Sequence, residues 1–279
     1  MLAASVAAAG VAALGPRSAA ALARTPGRLR QSVSRWPYDG IPLPEFARAV
    51  NSIGLEAIDL LQPDEWPVVA DVGLVCSMGY PADRPDFIAT GFNDPANHPM
   101  LLGELERTIP LAARAGVPNV ITMFGNRRGR SDAEGARNSI EGLRKIAPLA
   151  EEQGVTVCVE LLNSKVDHAD YRGDHTAWGV EVVKAVDSPR VKLLYDIYHM
   201  QIMEGDVIRT IRDHFSWIGH FHTGGVPGRH ELDRTQELNY RAVATAIADL
   251  GFTGYLAHEF MPTGDPLDSL RQAAEECRV

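Results

Sequence analysis

Four side chains in the second half of this chain stand where apolar runs end: Glu160 after VCV, Asp196 after LLY, His222 after GHF and Glu259 after LAH. Three carboxylates aimed at one point repel each other unless a cation or shared protons neutralise them. Oxygen ligands with one imidazole suit Mg²⁺ or Mn²⁺, with Co²⁺ a third candidate; tetrahedral structural zinc, with its cysteines, fits poorly. The plainer alternative for any one carboxylate is a strand-end residue paired with an arginine. Spacings of 36, 26 and 37 residues match single strand–helix–strand repeats, which predicts that all four sit on neighbouring strands around one mouth.

Two further residues are candidates for handling a substrate. His199 follows Asp196 by three positions in DIYHM and can donate to a substrate oxygen, or else is a hydrogen-bonded loop histidine. Arg229 in VPGRHE can clamp a carboxylate or hydroxyls, or else is an exposed turn arginine. By strand alternation His220 faces the same way as His222 one layer deeper, and His258 faces outward against helices; both read as structural. The chemistry these groups allow is proton transfer at carbon. A substrate held by a divalent ion can lose a proton to one such carboxylate and regain one from the other. Glu160 and Glu259 are the candidate bases.

The elements that must position these groups alternate along the chain. Strands are predicted at 31–35, 57–61, 72–77, 120–124, 156–161, 191–196, 217–222 and 254–259. Helices are predicted at 44–53, 100–115, 132–153, 177–186, 206–215, 240–250 and 266–276, the first three with an apolar stripe at helical spacing. A long Pro-, Asn-, Asp- and Gly-rich connection at 78–99 includes GFNDPANH, and a loop of that length is unusual unless it covers a site or is disordered. Eight strand–helix units dense in Val, Ile and Leu predict a single-domain (β/α)8 TIM barrel over residues 30–279. An open doubly wound sheet, the rival, normally carries a glycine-rich phosphate turn after an early strand, and none is present.

The bulk numbers agree. With 279 residues and 45% hydrophobic residues, the chain has material for one large core. A formal charge of −9 and the lack of a basic stripe with interleaved aromatics argue against a nucleic-acid partner. A small anionic substrate is still possible, because a bound cation and a few local arginines can reverse the sign of a pocket, and a homo-oligomer stays open. Cys76, Cys158 and Cys277 stand far apart and form no CxxC pair; Cys76 and Cys158 read as small buried hydrophobes. Residues 1–23, alanine-rich and ending in small residues, resemble an export signal lacking its basic front end, of twin-arginine type, which predicts a periplasmic protein; a plain N-terminal extension on a cytoplasmic protein is the alternative. Pro16 and Arg17 interrupt that run before it is long enough to span a membrane.

The stretch Glu160–Leu–Leu–Asn163–Ser164, the run YDIYHMQ ending at Gln201, the run VPGRHE ending at Glu231, and Glu237–Leu–Asn239–Tyr240 together resemble the hydroxypyruvate isomerases, within the wider group of xylose-isomerase-like barrels that includes the ketose 3-epimerases. The resemblance is strongest over residues 156–262 and weaker over 31–150. It implies a divalent ion held by Glu160, Asp196, His222 and Glu259, with His199 and Arg229 contacting substrate oxygens. It also implies an intramolecular oxidoreductase that interconverts hydroxypyruvate and tartronate semialdehyde or a similar small sugar. The familiar hydroxypyruvate isomerases carry glutamine at the third ligand position, whereas His222 matches the ketose 3-epimerases. Gly224–Gly225 departs from the pattern as well, since a polar or acidic residue is common there. A 3-epimerase or another enzyme of the same group therefore remains an alternative, as does a non-catalytic sugar-binding barrel. An apurinic-site nuclease would need more histidines and a basic surface.

Overall fold

The computed structural model describes residues 27–279; the segment 1–23, read above as an export signal, lies outside them. The chain opens with strand β1 (Arg30–Ser34), a 3-10 turn at Trp36–Tyr38 and helix α1 (Leu43–Ile53). Pro44 fits the first turn of α1, and Gly54, in the left-handed conformation at φ 91°, ends it. Then come β2 (Ala57–Leu61), the short α2 (Trp66–Ala70), β3 (Val75–Gly79), α3 (His98–Ala115), β4 (Asn119–Met123) and α4 (Asp132–Gln153). The second half continues with β5 (Thr156–Leu161), α5 (Thr176–Val186), β6 (Val191–Asp196), α6 (Ile197–Met203), α7 (Val207–His214), β7 (Ile218–Thr223), α8 (Tyr240–Asp249), β8 (Tyr255–His258) and α9 (Pro266–Glu276).

All eight strands are parallel, and β1 pairs with both β2 and β8, so the sheet closes into a barrel. The open-sheet rival is excluded. Helices cover the outside through the stripes their spacing predicts: Phe46, Val50 and Ile53 of α1, Leu101, Leu105, Ile109 and Ala112 of α3, and Leu143 and Ala147 of α4 are buried. Cys76, Cys158 and Cys277 are buried, unpaired thiols.

Two local expectations need correction. The third strand begins at Val75, not at residue 72, because Gly73 turns with φ 81° and the Leu74 amide still bonds back to the Val69 carbonyl of α2. The residues after Asp196 are a helix, α6, and not an open loop. Asp196 caps it, its Oδ1 accepting the His199 amide at 3.2 Å. Among the described residues no helix is long and apolar enough to cross a membrane.

Candidate metal centre and active site

Parallel strands deliver their C-terminal ends to one face of the barrel. Glu160 near the end of β5, Asp196 at the end of β6, His222 in β7 and Glu259 just past β8 therefore meet there. One ligand atom from each lies within 4.8 Å of all the others. His222 Nδ1 is the hub: it lies 2.7 Å from Glu259 Oε2, 3.3 Å from Glu160 Oε1 and 3.9 Å from Asp196 Oδ2. That nitrogen is buried and has no hydrogen-bond partner of good geometry among the described residues. A ligating atom left open among three convergent carboxylate oxygens is what a divalent cation requires, and the donor set suits Mg²⁺ or Mn²⁺.

The opposite edge of the same ring is occupied. His222 Nε2 and His220 Nε2 both donate to Asp59 Oδ2, at 2.9 and 2.8 Å, so His220 does lie one layer below His222. His258 bonds to Gln31 and Thr223, and Gln31 in turn donates to the Ala274 carbonyl of α9, which puts His258 on the outer face as alternation predicts.

Burial opposes protonation of His222, but Glu259 beside it and the carboxylate of Asp59 hold its pKa well above the usual imidazole range. Burial raises the Asp196 carboxyl, and the nearby Arg229 offsets this only in part. Glu259 shifts the other way: although burial works against ionisation, His222 and Arg229 outweigh it. Arg229 Nη2 reaches Asp196 Oδ2 at 3.1 Å and Glu259 Oε2 at 2.5 Å, so the plainer alternative of a carboxylate paired with arginine holds for these two within the cluster. Arg229 is far from a solvent-exposed turn residue, and its left-handed backbone at φ 57° is the kind of strain that persists at ligand-handling sites.

A cavity of about 500 Å³ opens over the cluster. Glu160, Glu259 and Arg229 line it, whereas Asp196 and His222 do not. His199 is brought beside Asp196, its Nε2 3.7 Å from Oδ2, but it is fully buried and not among the lining side chains. Its Nδ1 accepts the Asn163 amide at 3.1 Å, which leaves the proton on Nε2, an atom with no hydrogen-bond partner among the described residues. Burial, and then the charge of Arg229, keep this imidazole neutral by lowering its pKa well below the usual range.

Three residues that sequence reasoning did not assign to the site prove to belong to it. Trp36 lines the cavity and donates its indole N–H to Glu259 Oε1 at 2.6 Å. Asn163 orients His199. Asp59 underlies His222, and its only signal in the sequence is a carboxylate inside the apolar run AIDLL. The Gly224–Gly225 departure has a steric reason: a Cβ on Gly225 would lie 2.3 Å from the Glu231 carbonyl oxygen, and one on Gly224 would press on Arg229 and on the Glu259 carbonyl.

Residues 11–278 match the model of the xylose isomerase-like TIM barrel family. The chain belongs to that family. A Xenopus laevis protein provisionally named hydroxypyruvate isomerase is 29% identical over 235 residues, which span 84% of this chain and 81% of the relative. The D-psicose 3-epimerase of Ruminiclostridium cellulolyticum is 35% identical over 125 residues, 43% of this chain and 40% of the epimerase. Among solved structures, an AP endonuclease of family 2 from Brucella melitensis superposes with a TM-score of 0.80 at 23% identity, covering 88% of this chain and 99% of that one, a likeness of fold. The family and the convergent cluster together support a metal-dependent isomerase or epimerase.

Proposed function

We propose that this chain moves a proton on a carbon next to a carbonyl in a small hydroxy-carbonyl compound, with Glu160 and Glu259 as the two bases. The observation that carries this reading is selective access: of the four clustered side chains, only the two glutamates reach the cavity wall. When bound, a divalent ion on Glu160, Asp196, His222 and Glu259 supplies Lewis-acid polarisation of the carbonyl, which acidifies the neighbouring C–H. Asp196 and His222, fully buried, serve as ligands only. Trp36 holds one oxygen of Glu259, which fixes the orientation of that carboxylate. One glutamate takes the carbon-bound proton and leaves an enediolate. Returning the proton to the adjacent carbon, with a hydroxyl proton passing to the former carbonyl oxygen, completes an isomerisation. Return to the opposite face of the same carbon completes an epimerisation.

Hydroxypyruvate, going to tartronate semialdehyde, is the first substrate reading, supported by the relative aligned over most of the chain. Its carboxylate would find counter-charge in the ion and in Arg229. A neutral ketose, epimerised at C3, is the second, and the cavity wall favours it. Asp39, Glu65 and Asp83 line that wall, and Arg35 is already bound to the Tyr38 and Ile41 carbonyls. Proton NMR in D₂O with Mn²⁺-loaded, then chelated, enzyme against hydroxypyruvate and C3 to C6 ketoses separates them. Exchange at C3 of hydroxypyruvate supports isomerisation, and exchange at C3 of a ketose supports epimerisation. No exchange with any substrate under Mg²⁺, Mn²⁺ or Co²⁺ overturns the proposal. Export through residues 1–23 is a separate proposal, tested by sequencing the N-terminus of protein recovered from the native cell.

A further inference from the structure

Asp59 is a buried carboxylate beneath the metal cluster. The β2–β3 ladder slips register on both sides of it, and the next residue, Leu60, is left-handed at φ 59°. A bulge of this kind re-aims a side chain, and a non-glycine residue in that backbone region costs about 1–3 kcal/mol, so surrounding contacts must hold it. Four side chains anchor Asp59 itself. Its Oδ1 accepts Ser32 Oγ at 3.3 Å and also Ser77 Oγ, while Oδ2 accepts His220 Nε2 at 2.8 Å and His222 Nε2 at 2.9 Å. All five side chains are fully buried.

An imidazole whose Nε2–H is taken presents the lone pair of Nδ1, and here Nδ1 is the atom facing Glu160, Asp196 and Glu259. We infer that Asp59 is a positioning residue for the metal centre: it fixes His222 in the orientation and tautomer that make Nδ1 the ligand, while the serines and His220 keep the carboxylate from turning away. This inference rests on reading the four-residue cluster as a metal centre. Partners that orient a ligating histidine typically contribute about 10–100-fold to metal affinity.

The test uses the full chain. Asp59→Asn, checked for folding by circular dichroism, is titrated with Mn²⁺ beside wild type, and a 10–100-fold weaker affinity is expected. A folded variant with wild-type Mn²⁺ affinity overturns the inference, even if its melting temperature falls, because that pattern marks a purely structural residue. If the variant does not fold, wild type decides: ¹⁵N-resolved NMR of the His222 ring, in metal-free protein at the alkaline limit and again with Mg²⁺, should show the proton on Nε2. A proton on Nδ1 overturns it. Wild type that binds neither ion sinks the metal reading itself, while the metal-free ring spectrum still answers for Asp59.

Discussion

Glu259 has its two carboxylate oxygens in different company, Oε1 on the Trp36 indole and Oε2 between His222 and Arg229. An amide in its place still offers an oxygen for coordination but is far too weak a base to accept a proton from carbon. Glu259→Gln should therefore keep much of the metal affinity and lose about 10²–10⁴-fold in turnover at saturating Mn²⁺. Wild-type turnover in that variant would mean another base does the work. Asp196→Asn belongs to a different class, since its side chain does not reach the cavity. It should weaken Mn²⁺ binding and regain part of its turnover as Mn²⁺ is raised; a titration that leaves turnover low at every concentration would instead give Asp196 a part in the chemistry. Both residues were legible in the sequence because a charged group ending an apolar strand has few bland explanations. Trp36 was not legible, because its role depends on Glu259, 223 positions away.

Helices and strands with strong apolar periods, such as α4 and β5, fall where their sequence places them, and the misreadings cluster at short or irregular segments. The five-residue α2 has too few turns to show a period, and it displaced the expected start of β3. The long connection after β3 has a length that suits either a cover over a site or disorder, and Tyr80, Asp83 and Ile88 line the cavity. What the sequence could not show is how it is fastened. The Phe92 and Asn93 amides bond to the Met123 and Phe124 carbonyls at 3.0 Å each, extending the end of β4. Gly91 makes that approach feasible, since a Cβ there would lie 2.2 Å from the Phe124 carbonyl carbon. Gly91→Ala should destabilise the protein by about 1–3 kcal/mol in urea unfolding, as overpacking does; an unchanged midpoint would show that the segment moves aside freely. Glu231 fastens a second pair of loops, accepting from the Thr263 amide at 2.7 Å, the Gly264 amide at 3.2 Å and Ser269 Oγ at 3.0 Å. Its slight burial works against ionisation, but the Thr263 amide, its own amide, the Thr263 hydroxyl and the Gly264 amide pull its pKa down to about 2. A depressed carboxyl contributes stability above its unfolded value of about 4.3, lost as pH falls towards the folded value. Exposure to solvent keeps the effect small. The melting temperatures of wild type and Glu231→Gln should therefore differ at pH 7 and draw together as pH falls from 4 to 2; a gap as wide at pH 2 as at pH 7 would exclude this origin.

Closure of the barrel couples the centre to the stability of the whole molecule. The four cluster residues are spread over 100 positions of sequence and meet only when β5 to β8 are paired in register, so the unfolded chain has no comparable site. The net charge of −9 adds a general bias towards taking up a cation. A ligand that binds only the folded state stabilises it by about 2.7 kcal/mol at a hundred times its dissociation constant. For a domain of this size that corresponds to a rise in Tm of about 5 °C. Mn²⁺ or Mg²⁺ added to chelator-treated protein should produce such a rise, growing with the logarithm of concentration once the site is saturated. The rise should shrink in Asp196→Asn, which removes a ligand charge without touching the cavity wall, and Ca²⁺, larger and demanding more oxygen ligands than four side chains supply, should give less. A Tm that does not move with Mg²⁺, Mn²⁺ or Co²⁺ would leave the three carboxylates neutralised by His222 and Arg229 alone, and the cluster would then be an ion-pair network instead of a metal centre.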